Sequence, residues 1–145
     1  MSKVSFTVPG KPQAKARPRS TRSGIVYTPK NTVLYENLVR TSFVEKYPDF
    51  VPETGYVEAE ITAYFPIPKS KSNRIRILME KYLIRPKTKP DVDNITKSIL
   101  DSLNEIAFRD DSQVTDLTIR KRYSEQPRVD VTLTFEDMEE DDGSD

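Results

Sequence analysis

The segment YVEAEITAYFPIP, residues 56–68, sets Val57, Ala59, Ile61, Ala63 and Phe65 at every second position, between polar or aromatic neighbours. Successive side chains of an extended chain point to opposite faces, so this spacing predicts a strand buried on one face only. KVSFTVPG (3–10) repeats the pattern with Val4, Phe6 and Val8 and ends at a Pro9-Gly10 turn signal. VTDLTIRKRYS (114–124) and RVDVTLTF (128–135) also alternate, with Pro127 in the short link between them, and read as a terminal antiparallel hairpin. IVYTP (25–29) is at most a short extended piece.

Two segments switch to the helical period. NTVLYENLVRTSFVEKY (31–47) carries Val33, Leu34, Leu38, Val39, Phe43 and Val44 at helical spacing, with Glu36 and Arg40 paired on the outside, and Pro48 and Pro52 end it. VDNITKSILDSLNEI (92–106) offers Ile95, Ile99, Leu103 and Ile106 as a buried stripe. A basic segment, KSKSNRIRILMEKYL (69–83), fits a helix capped by Ser70 or Ser72 with Ile75, Leu78, Met79 and Tyr82 inward, ordering on substrate being left open. The order is strand, helix, strand, basic helix, acidic helix, hairpin. It lacks a regular βαβ repeat, which predicts an α+β fold with a mixed sheet of about four strands and helices packed on it. At 145 residues the chain suits one domain, expected over 1–135, with EDMEEDDGSD (136–145) as a disordered acidic tail.

With 35% hydrophobic and 32% charged residues the core is thin, and association of subunits is one way to add burial. No run of about 18 apolar residues and no apolar stretch near Met1 predict a membrane helix or a secretory signal, so the cytoplasm is the expected place. The chain has no cysteine and no histidine, which excludes disulfides, thiolate or imidazole metal ligands and the usual neutral-pH general base. Any metal must be held by oxygen. The net charge of zero conceals a body, residues 1–135, with a charge of +7, offset by seven acidic groups in the last ten residues. Residues 1–30 hold seven Lys/Arg and no acid, and 69–89 hold eight against Glu80 alone. Solvated surface charge is the plain reading of either run; together with a carboxylate cluster they suit a polyanionic substrate handled through a cation.

That cluster lies in KPDVDNITKSILDSLNEIAFRDDSQV, residues 89–114. Asp91 and Asp93 stand at a helix start, where ordinary capping would explain them. Lys97 follows Asp93 by one turn on the face away from Ile95, Asp101 continues that row, and Asp110-Asp111 comes shortly after the helix. An exposed Asp93–Lys97 ion pair would contribute only about 0.3–0.5 kcal/mol, a weak reason for the arrangement. Adjacent carboxylates repel unless solvated or bound to a cation. A hard divalent cation such as Mg²⁺ suits such a donor set, and phosphodiester hydrolysis is the matching chemistry. An EF-hand loop is a poor match, lacking the acidic alternation, central glycine and terminal glutamate.

KPDVDNITKSILDSLN, FRDDSQV and RKRY, with the N-terminal FTVPGKPQAKARPR and YTPKNTVLYE, resemble the RusA family of Holliday junction resolvases over about residues 4–135. The resemblance implies a small homodimeric endonuclease of mixed α/β fold, dependent on Mg²⁺ with Mn²⁺ as substitute. Such enzymes nick opposed strands of four-way DNA junctions in recombination and repair, and many are carried by phages or prophages. It implies catalytic roles for Asp91, Asp93, Lys97 and Asp111, with the three aspartates as metal ligands. Asp110 is then either a helper ligand or a turn-former that aims Asp111, and Asp101 a holder of Lys97. Lys11, Lys15, Arg17, Arg19, Lys69, Lys71, Arg74 and Arg76 become candidate phosphate contacts on the junction arms. Tyr27, Tyr35, Tyr64 and Phe65 are expected in packing rather than base stacking. Rival readings are a broader nuclease acting on flaps or forks, and a junction binder without catalysis.

Overall fold

The computed structural model describes residues 2–16 and 18–137. In chain order they form β1 (Ser2–Pro9), the two-residue strands β2 (Arg19–Ser20) and β3 (Val26–Tyr27), α1 (Lys30–Lys46), β4 (Tyr56–Pro66), α2 (Asn73–Glu80), α3 (Val92–Ser102), a 3-10 turn (Asp111–Gln113), β5 (Val114–Ser124) and β6 (Arg128–Glu136). The four long strands make one sheet in the order β1-β6-β4-β5, and β2 pairs with β3 as a separate small hairpin. β6 is antiparallel to both β1 and β4, whereas β5 runs parallel to β4. The fold is α+β with a mixed four-stranded sheet, as the strand and helix order predicts.

The period-two residues do what alternation requires. Val57, Ala59, Ile61, Ala63 and Phe65 of β4 are buried, as are Val4, Phe6 and Val8 of β1 and Val129, Val131, Leu133 and Phe135 of β6. Ile95, Ile99 and Leu103 of the acidic segment and Tyr35, Val39 and Phe43 of α1 join them in a single core. Phe43 packs edge-on against Phe6 and Phe50, with ring centroids 5.3 and 5.4 Å apart. The end of α1 is tied to β1 by Tyr47, whose hydroxyl accepts from the Ser5 N–H and donates to the Ser5 carbonyl, both at 3.1 Å.

Four expectations need correction. β5 and β6 do not pair as a hairpin: β4 lies between them. β4 stops at Pro66, opposite Ser124, and β6 begins with Arg128 opposite Tyr64, so the link 125–127 steps across the end of β4. Arg128 steadies that link by donating to Ser124 Oγ at 3.2 Å and the Gln126 carbonyl at 3.0 Å. α3 ends at Ser102 rather than Ile106, because the chain turns through Glu105 in the left-handed region (φ 66°) and is held against residue 53 by Glu53 N–H to Ala107 and Arg109 N–H to Glu53. α1 turns Thr32, Tyr35, Val39 and Phe43 inward and leaves Val33, Leu34 and Val44 exposed. α2 is shorter than the basic segment, with Ser72 as its cap through the Ile75 N–H; Met79 is buried, Ile75 and Leu78 are half-buried, and Tyr82 is exposed. Glu136 still belongs to β6; the rest of the acidic tail from 138, like Arg17, lies outside the described residues.

Val39 and Val33 test the orientation of α1 with the same chemistry on opposite faces. Val39→Ala should destabilise by about 2 kcal/mol, and Val33→Ala by no more than about 0.5 kcal/mol, in urea or guanidinium unfolding. Equal effects would mean that the helix is rotated from the orientation described.

Candidate active site

Asp91 is the residue before α3, with extended backbone, and its carbonyl accepts the first helical bond from Ile95 N–H at 3.0 Å. Its side chain makes no capping hydrogen bond. The carboxylate is therefore not consumed by the role that most simply explains an aspartate there. One turn of helix carries Asp93 and then Lys97 and Asp101 along the same face, over a buried stripe that fixes their direction.

The second carboxylate source is the 3-10 turn. Asp110 caps it, its carboxylate accepting from Ser112 N–H at 3.0 Å while its own N–H donates to Gln113 Oε1 at 2.9 Å. Gln113 also donates through Nε2 to the carbonyls of Glu53 and Gly55 at 2.9 and 2.8 Å. The Gln113 amide thus closes the turn through its oxygen and ties it to the 53–55 segment through its nitrogen. Asp110 thus caps the turn that carries Asp111. The Ser112 bond holds the Asp110 carboxyl below its ordinary value.

Asp93, Lys97, Asp101 and Asp111 line one cleft of about 400 Å³, with Leu100, Leu117 and Ile119 among its apolar walls. Asp91 stands at the helix mouth, outside that lining. The carboxyls of Asp101 and Asp111 are neighbours that act on one another's ionisation. Burial first, then the neighbouring Asp101 carboxyl and the charge of Asp110, push Asp111 up, with Lys97 opposing. Burial works against ionised Asp101 too, but the hydrogen bond from Lys15, the neighbouring Asp111 carboxyl and the two lysine charges hold its carboxyl below the usual value. Lys15 Nζ is 2.8 Å from Asp101 Oδ2 and 3.8 Å from Glu36 Oε1, while Lys97 Nζ is 3.9 Å from the same Asp101 oxygen.

The donor set is all oxygen, and neighbouring carboxyls of which one is pushed toward its neutral form are a setting that a hard divalent cation relieves. Among the described residues no three His, Cys, Asp or Glu side chains already form a ligand cluster. The fit is therefore one of donor chemistry.

The basic residues divide into three groups. Lys11, Lys69 and Lys89 line a groove of about 440 Å³ beside Phe65 and Tyr123, and Lys11 and Lys89 also edge a cavity of about 610 Å³. Arg19, Lys71 and Arg74 are exposed. Lys15 and Arg76 are engaged within the protein, Arg76 with Glu125 at 2.6 Å and the Pro68 carbonyl at 2.9 Å. Tyr35 and Phe65 are buried, Tyr64 packs under the Arg128 guanidinium at 4.0 Å, and Tyr27 is exposed. Sequence reasoning missed Lys15 as the main partner of Asp101, the clamp made by Gln113 and the apolar wall from β5. Asp101 carried a signal, its place in the Asp93–Lys97 row; the other contacts join distant segments.

A carboxylate held below its ordinary value stabilises the fold where it is ionised and loses that effect as pH falls through its folded value. Asp101→Asn should therefore lower stability at pH 7, by about 1 kcal/mol or less given solvent screening. The gap to the parent should close in melts taken below the ordinary 3.8. A gap independent of pH would mean that Asp101 acts by packing rather than charge.

No helix among the described residues is long and apolar enough to cross a membrane. A relative from Bacillus subtilis (strain 168), the uncharacterized protein YqaN, is 42% identical over 138 residues, covering 92% of this chain and 96% of its own. The model of the family Endodeoxyribonuclease RusA matches residues 9–134, from the end of β1 to near the end of β6, and takes in both carboxylate sources of the cleft. This chain belongs to the RusA endodeoxyribonuclease family.

Proposed function

We propose that the chain is a Mg²⁺-dependent endodeoxyribonuclease, with Mn²⁺ as an alternative ion, that resolves four-way DNA junctions by paired symmetric nicks as a cytoplasmic homodimer in recombination and repair. The observation that carries this reading is the cleft in which Asp93, Lys97 and Asp111 converge from two separate segments. Family membership supports nuclease chemistry on branched DNA.

Asp91, Asp93 and Asp111 would hold the ion, which when bound supplies charge to polarise the phosphodiester and to lower the pKa of an attacking water. Lys97 has a 63% exposed side chain and only a long contact to Asp101, so its ammonium is free to approach a phosphoryl oxygen and offset charge developing there. Asp111 must be ionised to serve as a ligand, and its raised carboxyl sets the acid side of that requirement. The Lys11, Lys69 and Lys89 groove offers ammonium groups to the strand backbone, contacts that position DNA without reading its bases. Two such clefts related by a two-fold axis would match a substrate with two equivalent strands to cut.

An end-labelled four-way junction, a flap, a fork and a matched linear duplex, incubated with and without Mg²⁺, test the proposal. Paired nicks on the junction alone, lost on chelation, are expected; cutting of flaps and forks at equal rates would favour the broader nuclease. Asp91→Asn, Asp93→Asn and Asp111→Asn should each slow cleavage by about 10² or more with junction affinity retained or increased. Affinity lost in step with cleavage would remove these residues from the chemistry. Replacing Lys11 or Lys69 by Gln should lower the slope of log affinity against log salt by about one each.

Cleavage by the unaltered protein should rise with pH through the raised value of Asp111. In Lys97→Met that acid limb should move to higher pH, since Lys97 is the charge that opposes the rise. An acid limb that stays in place would detach Asp111 from the pH dependence.

A further inference from the structure

We infer that Lys15 is a positioning residue of the active site: it occupies Asp101 and so leaves Lys97 free to reach the substrate phosphate. The inference rests on the reading of Lys97 as the phosphate-facing cation.

A single oxygen, Asp101 Oδ2, faces both ammonium groups. Lys97 and Asp101 are four residues apart on α3, the spacing at which oppositely charged helix side chains pair by themselves. Left alone, Lys97 would be drawn onto its own helix. Lys15 instead holds the oxygen at 2.8 Å, the length of a charge-assisted hydrogen bond, and Lys97 is left at 3.9 Å. Exposure favours the same partner. Lys15 and Asp101 side chains are 28% and 19% exposed, against 63% for Lys97, and attraction is stronger where water is scarcer.

The fold delivers Lys15 to this position. The adjacent Ala16 donates its N–H to Thr32 Oγ1 at 3.1 Å, and Thr32 is a polar residue that α1 turns into the protein, 4% exposed. One turn further along α1, Glu36 gives Lys15 its second carboxylate, and Arg40 follows 3.6 Å from Glu36. Thr32, Glu36 and Arg40 thus form a row that receives the N-terminal segment and aims Lys15 at Asp101. A lysine committed to two carboxylates is not available as a contact on a junction arm, which separates Lys15 from Lys11 in its open groove.

Lys15→Met, Asp101→Asn and the double variant test the inference, with Lys15→Arg as the conservative control. The first measurement is the rate at which acetic anhydride acylates Lys97 in the free protein, followed by peptide mass spectrometry. Lys15→Met should slow Lys97 acylation several-fold as Lys97 takes over Asp101, adding Asp101→Asn should restore it, and Lys15→Arg should leave it unchanged. The second is single-turnover cleavage of a saturating four-way junction in Mg²⁺. Lys15→Met should lower that rate about tenfold, as expected for a misplaced catalytic group, with junction affinity held and with no further loss in the Asp101→Asn background. Unchanged acylation of Lys97 in Lys15→Met, or a fall in junction affinity that accounts for the whole loss of cleavage, overturns the inference. Should the unaltered protein cut no junction, the functional proposal fails, while the acylation rates still decide the role of Lys15.

Discussion

β4 is the strand on which the other elements depend, because both its edges must be hydrogen-bonded and one of its faces must be covered. β5 takes one edge in parallel and β6 the other in antiparallel register, and the buried face receives α1 and α3. That face has only one apolar side to satisfy, so both helices lie in one layer and their polar rows converge at its margin. β5 starts directly after the 3-10 turn, which fixes Asp111 at the same margin as Asp93. The cleft is thus a by-product of how the central strand is satisfied, and its carboxylates arrive on elements the core already holds in place.

Charge within the cleft is unevenly shared. Asp101 has two lysines and a carboxyl neighbour, whereas Asp111 has a carboxyl neighbour, Asp110 beside it and one distant lysine. The outcome is one carboxylate kept ionised and another held nearer to protonation, a separation that environment alone produces from identical side chains.

The parts of this arrangement visible in the sequence are those with a local period. The strand β4, the stripe Ile95–Ile99–Leu103 and the Asp93–Lys97 row each follow from spacing within one element, and the structure holds them as read. Partnership between strands is not local. Two alternating segments joined by a three-residue link look like a hairpin whether or not a third strand separates them, and here β4 does. α1 was ambiguous for another reason: it is apolar on several sides, and its inward face is completed by Thr32 and Tyr35, which no hydrophobic pattern would select over Val33 and Leu34. Within the site, Asp101 was readable as part of a row, but its bond to Lys15 spans 86 residues and has no signature in either segment.

The placement of β6 has a consequence for how the chain reaches this state. Among the described residues β1 pairs only with β6, which follows it by more than a hundred positions, with Ser2 opposite Phe135. While the ribosome is still adding residues before Arg128, the first strand has no edge to dock on and β4 lacks its antiparallel neighbour. The sheet is completed by insertion of its last strand between two that wait for it, so it cannot close until Arg128–Glu136 has been made. The aromatic ring packing around Phe43, which draws on Phe6 and on Phe50 and so reaches Phe135, cannot be complete before that moment.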